Sequence, residues 1–156
     1  MHPNVERVAA ALRGGDAVAE IRELSESTRT AEEAAAALGV PVGAIVKSLV
    51  FAADGEPVLV LASGDHKVDT TAVAHVLGAA HVARADADLV RDATGYAIGG
   101  VPPLAHARTL RTVVDRHLAT YDVLWAAAGT PRAVFSTTYD DLVRLTGGVP
   151  HDVGAR

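Results

Sequence analysis

Apolar positions along the chain follow two rhythms in turn. Val5, Val8, Ala9 and Leu12 fall at i, i+3, i+4 and i+7, with Pro3 in front and Gly14-Gly15 behind. That spacing predicts an amphipathic terminal helix. Residues 21–24 read as a short strand and residues 25–29 as a polar loop. Thr30-Ala-Glu-Glu33 has the form of a capping box, in which the Thr30 hydroxyl accepts from the Glu33 N–H and the Glu33 side chain reaches back. Ala31, Ala34, Ala35 and Leu38 then make a face small enough for the helix to lie close to whatever it covers, and Gly39 and Pro41 end it.

Next come two β-branched runs, residues 45–51 and 58–62, joined by Asp54-Gly55-Glu56-Pro57. They predict a hairpin with both strands buried, interrupted in its first strand by Lys47 and Ser48. Asp69 is placed to cap a helix carrying Ala72, Val73, Val76 and Leu77, stopped by Gly78. A short strand over 81–84 precedes a second short helix, capped by Asp86 and ending near Gly95. Residues 96–104 hold two glycines and two prolines within five positions, so their middle is irregular. Residues 111–114, 123–127 and 133–137 read as strands. Thr137 or Thr138 caps a last helix with Leu142, Val143 and Leu145 inside and Gly147 after it. No repeat, low-complexity tract or linker interrupts this. The expectation is one α/β (α+β) domain over residues 1–156, with an N-terminal helix within 1–19 and a core over 20–147. Hairpins favour a mixed, largely antiparallel sheet covered by short helices.

Composition narrows the chemistry. At 156 residues the chain is the size of one domain and long enough to hold a core without staples. It has no cysteine, which excludes disulfides, thiolate metal sites and a cysteine nucleophile, and fits a reducing compartment. With 49% apolar and only 4% aromatic residues, the core is aliphatic. No apolar run approaches the ~18–20 residues needed to span a bilayer, and MHPNVERV is not a signal peptide. A soluble, cytoplasmic protein without membrane contact is expected. The net charge of −5 argues against a generic nucleic-acid coat, but residues 1–78 carry 6 basic and 11 acidic groups against 8 and 8 in residues 79–156. A polyanion should therefore meet the second half. Twelve of the basic residues are Arg; only Lys47 and Lys67 are Lys.

Three places carry candidate chemistry. Lys47 shares a strand face with Leu49 and Phe51 by alternation, so its stem is partly buried. Its ammonium either binds a phosphate or polarises a carbonyl at a pocket rim, or snorkels at a strand end. The Gly99-Gly100-Val101-Pro102-Pro103 loop either presents backbone N–H groups to a phosphate or oxyanion, or is a tight connection. His106, Arg108, Arg111 and Arg116 follow it, opposed by Asp115, and can touch a nucleic-acid backbone beside the pocket or be a solvated surface. In Gly64-Asp-His-Lys-Val-Asp69, Asp65 and Asp69 read as turn and cap residues. The seven histidines show no HxxxH or HxH spacing, so no metal site is expected, and no nucleophile elbow, Walker loop or dinucleotide fingerprint occurs.

Taken together, Thr30-Ala-Glu-Glu-Ala-Ala-Ala-Ala-Leu-Gly39, Ile45-Val-Lys-Ser-Leu-Val-Phe51, Gly64-Asp-His-Lys-Val-Asp69 and Thr94-Gly-Tyr-Ala-Ile-Gly-Gly-Val-Pro-Pro103 resemble the YbaK/EbsC family in order and spacing. These are aminoacyl-tRNA editing domains, free-standing or inserted in bacterial prolyl-tRNA synthetases. The resemblance covers about residues 20–147. It implies a trans-editing deacylase that hydrolyses the ester of a mischarged tRNA, with Lys47 at the active site holding the 3′-terminal phosphate or ribose. The family's G-x-x-x-P loop maps onto Gly99 to Pro103, with Gly100 inside it, and would position the ester, an attacking water or the developing oxyanion. Ser48 and Thr94 are assigned to the amino-acid pocket, and Arg108 and Arg111 to tRNA binding. No metal or organic cofactor is implied. The partners are aminoacyl-tRNA and a synthetase or elongation factor that presents it. Two departures, Ala128-Gly-Thr-Pro-Arg-Ala-Val-Phe135 and the doubled proline, leave Cys, Ala, Ser and Thr open as the amino acid removed. A non-catalytic module binding an aminoacylated or nucleotide ligand is the competing reading, and an unrelated hydrolase ranks last.

Overall fold

The computed structural model describes residues 1–28 and 30–155; Arg29, the end of the predicted polar loop, and Arg156 lie outside the described residues. Helix α1 (Pro3–Gly14) starts behind His2, whose Nδ1 accepts the Asn4 N–H at 3.0 Å, and buries Val5, Val8, Ala9 and Leu12 as the spacing predicts. After β1 (Ile21–Glu23), Thr30 caps α2 (Ala31–Leu38) by accepting the Glu33 N–H at 3.1 Å. The capping box closes differently from expectation. The Thr30 hydroxyl also donates to Glu33 Oε1 at 3.2 Å, so one hydroxyl satisfies both groups of Glu33.

The hairpin is longer than its apolar runs suggest, with β2 (Ile45–Ala53) and β3 (Glu56–Ser63) paired from Val46↔Ser63 to Ala53↔Glu56. Its turn is only Asp54-Gly55, both at positive φ (49° and 86°), the backbone of a tight type I′ hairpin. Pro57 therefore sits inside β3 rather than in the turn. It is tolerated because pairing to the next strand begins only at Val58. β4 (Lys67–Val68), α3 (Thr70–Leu77), β5 (Val82–Arg84) and α4 (Ala87–Thr94) follow, the helices capped by Asp69 and Asp86 as expected. Then come β6 (Arg111–Asp115), β7 (Leu124–Ala127), β8 (Ala133–Thr137) and α5 (Tyr139–Thr146). Thr138, not Thr137, caps α5, accepting from Asp141 N at 3.2 Å. β9 (Val149–His151) and β10 (Gly154–Ala155) were not legible, since Val149-Pro-His presents no alternation.

The main sheet runs β1-β8-β7-β2-β3-β6-β9, with β5 also on β2. β1/β8, β8/β7, β2/β3 and β2/β5 are antiparallel, while β7/β2, β3/β6 and β6/β9 are parallel. One face packs α1, α4 and α5 through Val8, Leu12, Val90 and Leu142 onto Val46, Val50, Leu59 and Phe135. The other takes α3 over Phe51, Val60 and Val113, and α2 over Ile45, Trp125 and Val134. Ala34 and Ala35 are the buried contacts of α2, which lets its start come down close to β2.

Candidate functional site

A break in strand pairing makes the main cleft. β2 pairs with β7 only at Ile45↔Trp125 and Val46↔Ala126, then meets β5 from Phe51 onward. Between these pairings residues 47–49 keep one edge unpaired among the described residues. Val50 O, on that edge, accepts from Ala85 N at 3.2 Å. Strand alternation puts the main-chain N–H and C=O of Ser48 on the same side, facing the gap. The resulting cleft, about 380 Å³, is walled by the start of α2, β2, residues 84–85, Val90, Gly99, Val101 and the segment 125–134.

Lys47 enters this cleft half-buried. Its ammonium donates to His66 O. Burial pulls its pKa below the usual lysine value, Glu32, Asp65 and Asp115 push it back up, and Arg84 lowers it again. The carbonyl it bonds is held by a buried hub. Asp115, 1% exposed, accepts from His66 Nδ1 at 2.9 Å, from Ser63 N at 3.1 Å and from His117 N at 3.0 Å. Asp65 is kept below the usual carboxylate range although burial opposes this, because the Ser63 hydroxyl bonds it and His117 and His66 lie nearby. Thus the lysine is positioned through a backbone group whose own residue is clamped from beneath.

The expected site residues separate into two groups. Lys47, Ser48 and Gly99 all line the cleft. Ser48 points to the face of Val46 and Val50, and its hydroxyl is shielded from water with no hydrogen-bond partner among the described residues. Gly100 does not line it. Its N–H is used by Ala97 O at 3.0 Å, and a Cβ there would stand 3.0 Å from Thr130 Cα, so it is a close-packing glycine. Thr94 stands apart from the cleft too. It is fully buried at the end of α4, donating to Val90 O at 2.7 Å and accepting from Tyr96 N at 3.0 Å, and lines no part of the cleft. Pro103 is buried outside the cleft lining. The loop is braced instead by His106, whose Nε2 lies 2.6 Å from Pro102 O.

Arg108 and Arg111 do not flank the cleft either. Arg111 pairs in register with Val58, whereas Lys47 stands opposite Ala62, four residues or roughly 13 Å further along β3. Arg108 is tied to Asp92 at 3.0 Å and Arg111 Nη1 donates to Leu77 O at 3.3 Å.

Sequence reasoning missed Arg84 and Asp115. Arg84 lines the cleft with its guanidinium 5.6 Å from the Phe51 ring centroid, so a second cation stands by Lys47. The signal was a lone Arg at the end of a short strand. Asp115 looked like a counter-charge to its basic neighbours and is a buried anchor. Asp65, His66 and His117 also bring ligand-capable atoms within 4.8 Å of one another, a grouping hidden by their separation in sequence. The two imidazoles are stacked at 4.2 Å and 23°, and His66 Nδ1 is already bonded to Asp115 at 2.9 Å.

The chain is an α/β domain whose split sheet holds a cleft lined by two cations, and comparison with known proteins gives the class. A model of the aminoacyl-tRNA editing domain matches residues 25–145, and the chain belongs to that family. The proline–tRNA ligase of Geobacter metallireducens is 36% identical over 105 residues, 65% of this chain. The chain spans 18% of that ligase's length, as it does for the ligase of Desulfovibrio desulfuricans. The uncharacterized protein YwhH of Bacillus subtilis is 30% identical over 124 residues, covering 79% of this chain and 78% of YwhH. A solved structure put forward as a trans-editing enzyme for prolyl tRNA synthetase superposes with a TM-score of 0.93 at 41% identity, covering 100% of this chain and 99% of that one. The hypothetical protein APE2540 superposes at 0.89 with 31% identity, over 96% and 99%. The resemblance and the fold class expected from the sequence are therefore borne out. No helix among the described residues is long and apolar enough to cross a membrane.

Proposed function

We propose that this cleft hydrolyses the ester between a small, wrongly attached amino acid and the 3′-terminal adenosine of a tRNA, the protein acting in trans on tRNA released or presented by a synthetase or elongation factor. The observation that carries this is the Lys47 ammonium held by a backbone carbonyl at the break between β2 and β7, in a chain of the editing-domain family. Lys47 and Arg84 together suit the phosphate of the terminal nucleotide, because two cations in a partly dehydrated cleft bind a phosphodiester more strongly than either does in open water. With the nucleotide so fixed, its acyl group lies along the free edge of β2. There the Ser48 main chain and the Gly99 loop offer neutral groups to orient the ester carbonyl and a water.

The amino-acid side chain then meets Val46, Val50, Val90, Val101 and Ala126, a wall suited to small groups. The unpartnered Ser48 hydroxyl offers one polar contact there, so a substrate that bonds it relieves a buried unsatisfied group. Among the described residues of the cleft the one hydroxyl bonded to a carboxylate, Thr30 to Glu33, is engaged in capping α2, so water attacks directly. A deacylation panel tests this: tRNAs carrying Ala, Cys, Ser, Thr and Pro are incubated with the protein. Loss of one or two of the small-side-chain esters above the buffer rate is expected. Stability of all five, with and without a synthetase, leaves a binding module.

A further inference from the structure

A second groove, about 630 Å³, lies against the first and shares the wall formed by Thr130, Pro131 and Ala133. Arg91 from α4 and Arg132 from the loop before β8 line it. A third guanidinium, Arg7 of α1, comes to its edge near Gly95. Of the described arginines on this acidic protein, Arg22, Arg108, Arg116 and Arg144 are each paired with a carboxylate. Arg7, Arg91 and Arg132 are not, nor are Arg13, Arg84 and Arg111; what sets this groove apart is that three such cations gather at it, with Glu23 the only carboxylate among the described residues of its wall. Arg132 is oriented by donating to Ser25 O, while Arg91 is exposed.

Three guanidinium groups left without counter-charges around one groove, continuous with a cleft read as holding a terminal nucleotide, have a chemical meaning. We infer that this groove binds the phosphodiester backbone of the nucleotides preceding the 3′-terminal adenosine, the strand crossing the Thr130-Pro131 sill between the two cavities. The inference rests on the proposed function and replaces Arg108 and Arg111 as the tRNA contact. Arginine suits this task because its planar fork grips phosphate oxygens in pairs. The contact is sequence-independent and serves any tRNA with the correct overhang.

The test measures binding of an uncharged acceptor-stem hairpin with a single-stranded 3′ end, by fluorescence anisotropy across a salt series. The Arg91→Ala/Arg132→Ala variant should lower the slope of log Kd against log salt by about 1.4, and weaken binding on the order of tenfold at low salt. Arg108→Ala/Arg111→Ala should leave the slope unchanged. Arg132→Lys keeps the charge without the contact to Ser25, so near-normal binding by that variant excludes a folding defect as the cause. Hydrolysis of a 3′-aminoacyl adenosine 5′-monophosphate, whose phosphate and acyl group both fall in the first cleft, should be unchanged in the double variant while hydrolysis of the full aminoacyl-tRNA falls. An unchanged slope in Arg91→Ala/Arg132→Ala, or an equal loss in the Arg108/Arg111 pair, overturns the inference. Absence of hydrolysis by the wild type overturns the deacylase reading and leaves the binding arm intact.

Discussion

Thr94 separates a pocket residue from a structural clamp by a single substitution. Its hydroxyl donates to Val90 O at 2.7 Å and accepts the Tyr96 N–H at 3.0 Å, with Thr94 and Tyr96 both fully buried. Thr94→Val keeps the shape and removes both bonds. The Tyr96 N–H is then buried without this acceptor, at a cost of about 1–3 kcal/mol. The added methyl recovers roughly 0.8 kcal/mol of apolar burial. A net loss of about 1–2 kcal/mol is expected, which for a chain of this size lowers Tm by roughly 2–8 °C. Urea unfolding followed by circular dichroism supplies the midpoint, and the ratio of deacylation rates across the amino-acid panel supplies the specificity. The structure predicts a lowered midpoint with an unchanged ratio below the transition. An unchanged midpoint with a shifted amino-acid preference would refute the clamp and return Thr94 to the pocket.

Three further outcomes follow from the same contacts. Gly100→Ala should destabilise by about 1–3 kcal/mol, since its Cβ meets the backbone of Gly129 and Thr130 at 3.0–3.2 Å; equal midpoints for the two proteins would count against that packing. Asp115→Ala strands the Ser63 and His117 N–H groups and His66 Nδ1, so unfolding should become easier by about 3–5 kcal/mol, measured by calorimetry. His106 is pushed below the ordinary histidine value of 6.5, first by burial, with the bond to Pro102 O working against this. The unfolded chain then takes up a proton that the folded one resists, so stability is full above that value and falls as pH drops through it. The urea midpoint should decline between pH 7 and 5, and His106→Gln should flatten that decline. A parallel decline in the variant places the proton elsewhere.

Much of this fold was legible because local signals and tertiary packing agree. Asp69, Asp86 and Thr138 cap their helices in the structure for the reason that makes them visible in the sequence: their side chains accept the orphan N–H groups of the first turn. The hairpin was visible from its β-branched runs, but its turn was placed two residues too wide because Pro57 reads as punctuation. Only the later start of β6 explains why a proline fits there. The site was legible where one strand carries it, at Lys47 and Ser48, and at Gly99. It failed where long-range pairing decides. Nothing local says that β2 leaves β7 after Val46, that Arg84 is brought back to the gap, or that Asp115 reaches under His66. Arg108 and Arg111 looked close to the glycine loop because they follow it in sequence, yet β6 carries them to the far end of β3.

The most direct test of the account is Lys47→Met with the aminoacyl-tRNA that the wild type deacylates fastest. Methionine keeps the apolar stem and removes only the ammonium, which in the resting structure holds His66 O at a half-exposed position. Stability should therefore change by no more than about 1 kcal/mol. Single-turnover deacylation should fall at least a hundredfold, on the order of the loss when one charged or hydrogen-bonding stabiliser leaves an active site. Deacylation within a few-fold of wild type by a folded Lys47→Met protein would contradict the claim that this cleft acts through its lysine.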